Sequence, residues 1–191
     1  MFRSSGWRRA SGVLAAMSFM VISAGAPSAS ALPRSDEYPM FKSLHGGMCV
    51  DVNMNDHNTW SRLTVWDCNG GDNQRWSGGF MAGGNIQNLG NQKCMDAADP
   101  NNDDTGPNGN DVGTFPCKQA ATHNQAFFWR GTDAGLGYGP IETPFAGRKC
   151  LEIRVNPANP YAVPPRGTPV QLWDCNGSPW QQWKLFKFSS K

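Results

Sequence analysis

Leu63-Thr64-Val65-Trp66-Asp67-Cys68 and Val170-Gln171-Leu172-Trp173-Asp174-Cys175 are two versions of one segment, and Val112-Gly113-Thr114-Phe115-Pro116-Cys117 is a third, more diverged version. Each is a short, β-branched or alternating run that ends on a cysteine, the pattern of a half-buried strand. Upstream of each stands another cysteine followed by an aliphatic residue and an acid: Cys49-Val50-Asp51, Cys94-Met95-Asp96 and Cys150-Leu151-Glu152. Downstream of each stands a glutamine among aromatics: Asn73-Gln74-Arg75-Trp76, Asn124-Gln125-Ala126-Phe127 and Trp180-Gln181-Gln182-Trp183. The same markers in the same order, three times over, make the chain an internal repeat, with units of about 40–79, 80–131 and 132–188.

The runs between Gly, Asn, Asp and Pro clusters are short, and no stretch after residue 31 carries a helix-length apolar period. The reading is an all-β domain of about a dozen short strands, four to a repeat. Asp99 to Asp111, rich in Asn, Asp, Gly and Pro, reads as a surface loop. Six cysteines allow fifteen pairings. The repeat singles out Cys49 with Cys68, Cys94 with Cys117 and Cys150 with Cys175, each closing a loop worth about 3 kcal/mol by chain entropy. Pairing across repeats is the alternative, and it would break the symmetry.

The chain opens like an export signal. Arg3, Arg8 and Arg9 precede the apolar run Val13 to Ile22, and Ala29-Ser30-Ala31 is a small-residue cleavage site. The apolar run is too short for a membrane-spanning helix, and Arg8-Arg9 lacks the closely following apolar residues of a twin-arginine signal. Residues 1–31 therefore read as a secretory signal peptide, 32–39 as a linker, and the remainder as an extracellular domain in which an even number of cysteines pairs. Of 17 Lys and Arg the leader holds three, which leaves 14 against 15 Asp and Glu, a net charge of −1. That near-neutral balance, without a basic cluster, gives no electrostatic case for nucleic acid or an anionic membrane.

The combined pattern, Cys-aliphatic-acid, then aliphatic-x-aliphatic-Trp-Asp-Cys-Asn-Gly, then Gln-x-Trp, resembles the ricin-type β-trefoil lectins and the family 13 carbohydrate-binding modules over about residues 40–188. The resemblance implies a β-trefoil, a six-stranded barrel closed by three hairpins, with Trp76, Phe127 and Trp183 in the core and Gln74, Gln125 and Gln181 satisfying backbone groups near the repeat junctions. It also implies carbohydrate as partner. A sugar offers hydroxyls on its edge and apolar C–H groups on its face, so a site needs a carboxylate, an amide and an aromatic ring. By that resemblance the first repeat fills the roles with Asp51, Trp66, Asn73 and Gln74, and the second with Asp96, Phe115, Asn124 and Gln125. The third offers Trp173 and Gln171, but Glu152 replaces Asp and Trp180 replaces Asn, which reads as degeneration.

No nucleophile-elbow, zinc-protease or phosphate-loop motif is present, and His45, His57 and His123 stand apart without partners at metal or triad spacing. Asp99-Pro100-Asn101-Asn102-Asp103 begins like a calcium loop, yet Asp104 and Asn110 occupy its glycine and closing-glutamate positions. The expectation is a binding protein without cofactor or metal, not an enzyme. The rival expectation is a protein-binding role, as a subunit of a toxin-like complex or as a trefoil protease inhibitor with the Pro-rich Asn156 to Arg166 as its loop.

Overall fold

The computed structural model describes residues 38–53, 59–99, 106–119, 123–131, 137–156 and 158–188. The signal-peptide reading, His57 and most of the calcium-like segment lie outside these residues. Among the described residues twelve strands follow one another: β1 (Met40–Ser43), β2 (Cys49–Val52), β3 (Ser61–Trp66) and β4 (Trp76–Gly78), then β5 (Ile86–Asn88), β6 (Cys94–Ala97), β7 (Asn110–Phe115) and β8 (Phe128–Trp129), then β9 (Ile141–Thr143), β10 (Lys149–Ile153), β11 (Thr168–Asp174) and β12 (Trp183–Phe186). The stretch read as a loop to Asp111 thus ends in strand: β7 takes in Asn110 and Asp111, because both pair with β11.

The pairings repeat three times. Hairpins β2·β3, β6·β7 and β10·β11 are each antiparallel, with Asp51 opposite Thr64, Asp96 opposite Gly113 and Glu152 opposite Gln171. Successive units join through β4·β5, β8·β9 and β12·β1. The outer strands of the hairpins meet one another as β3·β7, β7·β11 and β11·β3, a closed triangle. This is the β-trefoil, and closure leaves few strand edges unpaired.

Alternation along the strands explains which side is core. In β3, Leu63 and Val65 are buried while Arg62 and Trp66 are exposed, as a two-residue period requires. One core receives Val50, Val65, Met95, Val112, Leu151 and Leu172 from the hairpins and Trp76, Phe127 and Trp183 from the last segment of each unit. These three aromatics also close each unit through the backbone. Trp76 N donates to Pro39 O at 3.0 Å, Phe127 N to Gly84 O at 3.3 Å and Trp183 N to Gly139 O at 2.9 Å. Disulfides Cys49–Cys68, Cys94–Cys117 and Cys150–Cys175 fasten the hairpins with Cα separations of 5.1, 4.9 and 5.0 Å, the pairing that the repeat singles out.

Candidate functional site

Each unit carries one constellation on the outer side of its hairpin, built around the acid two residues after the first cysteine. In the first unit, Gln74 is fully buried on a 3-10 turn, Asp72–Gln74, that turns the chain inward before β4. Its Nε2 donates to Asp51 Oδ2 and to Asp67 O, both at 2.8 Å, and its Oε1 accepts from Asn69 N at 2.9 Å. Gln125 repeats this with Asp96 Oδ2 (2.9 Å), Pro116 O (3.2 Å) and Lys118 N (3.0 Å). Gln181 repeats it with Glu152 Oε2 (2.8 Å), Asp174 O (2.9 Å) and Asn176 N (2.9 Å). Gln74 and Gln125, grouped by sequence with the ligand-contacting residues, therefore lie beneath the surface with their polar groups spent. They position the carboxylate and satisfy the backbone around it.

The amides differ between units. Asn73 Nδ2 donates to Asp51 Oδ2 at 2.8 Å, and Asn124 Nδ2 donates to Asp96 Oδ2 at 3.2 Å. Both donors thus converge on one oxygen of each aspartate, and among the described residues no donor takes Oδ1 of Asp51 or of Asp96. In the third unit Trp180 stands at the asparagine position, and Gln171 Nε2 fills the gap by donating to Glu152 Oε1 at 3.0 Å. Both Glu152 oxygens are then engaged, and Gln171 Oε1 is itself taken by Arg154 Nε at 2.9 Å. Gln171, a candidate contact by sequence, is buried and committed to this network.

Burial weakens the charged form of all three acids. It pushes the Asp51 and Glu152 carboxyls above their usual range against the opposing pull of their amide donors. Asp96 is pushed up to about 6, because burial outweighs the Gln125 hydrogen bond and the Lys118 charge. Lys118 also donates from Nζ to Asn124 Oδ1 at 2.8 Å, so the second unit presents a cation beside its acid.

The aromatic members lie on the same outer face as the acids, since Trp66, Phe115 and Trp173 are two residues along from the cross-strand partners of Asp51, Asp96 and Glu152. Trp66 is 42% and Trp173 37% exposed, large apolar surfaces left in water by two otherwise well-packed hairpins. Phe115 is half-buried and lines a pocket of about 380 Å³ with Asp96, Asn124, Lys118 and Trp60. Trp60 is absent from the sequence-based site. It belongs to the first unit and crosses to the second, where it packs against Gly113.

The sequence profile of the ricin-type beta-trefoil lectin domain matches residues 37–136, and the chain belongs to that family. The matched span covers the first two units; the third repeats their pairing. Among solved structures, the designed threefold-symmetric protein ThreeFoil superposes with a TM-score of 0.63 at 22% identity, over 79% of this chain and 99% of that one. The Macrolepiota procera ricin B-like lectin, solved in complex with lactose, gives 0.58 at 15% identity, over 81% and 97%. The exo-beta-1,3-galactanase of Clostridium thermocellum gives 0.60 at 22% identity over 79% of this chain, which spans only 30% of that protein. No curated protein matches the sequence at a significant level.

Proposed function

We propose that the protein is a secreted lectin that binds glycan or polysaccharide at shallow sites on its first two units. The observation that carries this reading is the aspartate with one oxygen anchored twice and the other unspent, beside an outward aromatic ring, in both units. An anchored carboxylate is held in one orientation, so its unspent oxygen accepts from a sugar hydroxyl without first losing rotamer freedom. At the first site Asp51 supplies that acceptor, Asn73 Oδ1 a second one, and Trp66 the platform for the sugar face. At the second site Asp96 accepts, Lys118 donates, and Phe115 is the platform. Two weak sites on one rigid body gain by avidity on a repeating polymer. Export is supported by the basic, apolar and small-residue succession of residues 1–31. We assign no catalytic role.

One observation favours a second reading, docking to a protein partner. An apolar groove of about 800 Å³ is lined by Phe80, Met81, Trp129, Leu185 and Phe186, with none of the three acids in its lining. A glycan array and polysaccharide pull-down with residues 32–191 separates the readings. Binding that Asp51→Ala and Asp96→Ala each weaken supports the lectin; a folded protein that captures no glycan leaves the partner reading.

A further inference from the structure

The second unit departs from the other two at the residue opposite its acid. Thr64 and Gln171 hold that place in the first and third units, whereas Gly113 holds it in the second. A Cβ on Gly113 would lie 2.4 Å from Trp60 Cε2, 2.6 Å from Trp60 Cζ2 and 2.6 Å from Ser61 O. The Trp60 indole therefore occupies space against the Gly113 backbone that the side chain of any other residue would fill. The glycine is there to admit the ring, since Gly113 has no positive φ that would otherwise require it. The ring is kept there at the expense of a hydrogen bond: its indole N–H is buried and has no acceptor among the described residues.

The result is a pocket lined by aromatic rings from two units, Trp60 and Phe115, together with Asp96, Asp99, Asp111, Lys118 and Asn124. We infer that the second site is a two-walled cleft selective for pyranosides whose ring hydroxyls are all equatorial, with Trp60 as its specificity-determining residue. This deepens the lectin reading and rests on it. The physical reason is the shape of the sugar. An all-equatorial ring carries axial C–H groups on both faces, and each face suits the electron-rich face of an aromatic ring. One axial hydroxyl makes a face polar and lifts it from a wall, and a hydroxyl buried against an indole loses its water without gaining a partner. A site with one platform, as at Trp66, tolerates that hydroxyl because the face bearing it stays in solvent.

The test uses Asp51→Ala, so that the second site is read alone, and two ligands that differ only at one carbon, methyl β-D-glucopyranoside and methyl β-D-galactopyranoside. Their dissociation constants are measured by NMR titration of the folded protein. The glucoside is expected to bind at least five-fold more tightly. Adding Trp60→Ala should weaken the glucoside about ten-fold and erase the preference, while Trp60→Phe, which keeps a wall, should retain most of both; a two-dimensional amide spectrum confirms that each variant is folded. Equal binding of the two sugars, a preference for the galactoside, or a glucoside affinity unmoved within two-fold by Trp60→Ala overturns the inference. If the galactoside binds in a manner that depends on Asp96, the lectin reading survives that failure. If neither sugar binds and the wild type also captures no glycan, both fall together.

Discussion

Gln74 Nε2 lies 2.8 Å from Asp51 Oδ2 and 2.8 Å from Asp67 O, so one buried amide ties the acid on the first strand of the hairpin to the backbone beyond its second strand. The same tie recurs from Gln125 to Asp96 and from Gln181 to Glu152. A core glutamine thus sets the direction of a largely buried carboxylate on the hairpin's outer face, which couples the stability of each unit to the shape of its candidate site. Substituting Gln74→Leu removes all three bonds and strands Asn69 N, Asp67 O and part of Asp51. The cost should be about 2 kcal/mol, from three lost hydrogen bonds of which only the Asp51 end lies in a buried residue, read from the urea midpoint. Binding at the first site should fall together with stability, whereas Asp51→Ala should lower binding at a smaller cost in stability, because Gln74 keeps its bonds to Asp67 O and Asn69 N.

The three disulfides close loops of 19, 23 and 25 residues. Replacing Cys94 and Cys117 together by serine should reduce stability by about 3 kcal/mol. Equilibrium unfolding in urea checks this, with wild type in oxidising buffer as reference.

Acidity should act on the second site more visibly than on ordinary carboxylate sites, because Asp96 titrates at about 6. In the proposed lectin its charged form is the acceptor for a sugar hydroxyl, so affinity measured in Asp51→Ala should hold above pH 6 and fall as pH drops through it. The stability linkage has the opposite sign. The folded-state value lies above the unfolded 3.8, so the contribution of Asp96 to stability is fully present below 3.8 and is lost as pH rises through about 6. A carboxyl-carbon NMR titration of Asp96 gives the midpoint directly, and a midpoint near 4 contradicts the prediction.

Exposure alone does not make a platform. Trp66 and Trp173 are almost equally exposed, but the acid beside Trp173 has both oxygens engaged, by Gln171 and Gln181. Trp173→Ala should leave polysaccharide affinity within two-fold of wild type, and Trp66→Ala should lower it about ten-fold. Affinity electrophoresis through polysaccharide gels compares the two side by side.

The fold was legible because its evidence is local and repeated. Cysteines bracket each hairpin, and Trp76, Phe127 and Trp183 follow the glutamines at fixed spacing, so three copies vouch for one another. Half of each candidate constellation is legible for the same reason: Asp51 with Asn73, and Asp96 with Asn124, meet in the structure through 2.8 and 3.2 Å bonds. What escaped the sequence depends on tertiary contacts, between units for Trp60 and within one unit for Gln171 and the glutamines. Trp60 lies ahead of β3 and has no marker tying it to the second unit; its role exists only because β3 pairs with β7 and Gly113 leaves room. Gln171 looked available because its strand position faces outward, but Arg154 and Glu152, two residues apart on the neighbouring strand and its extension, consume both ends of its amide. Spacing puts the glutamines near the backbone, while their grip on the acids is a matter of distance that spacing does not encode.

The measurement that bears most directly on the central claim is calorimetric titration of a captured polysaccharide with wild type and with the double variant Asp51→Asn, Asp96→Asn, which preserves side-chain shape while removing both charges. The account predicts that the double variant keeps its cooperative unfolding and loses binding at least fifty-fold. A folded double variant that binds within a few-fold of wild type would contradict it, and the carboxylates would then be structural parts of the hairpins alone.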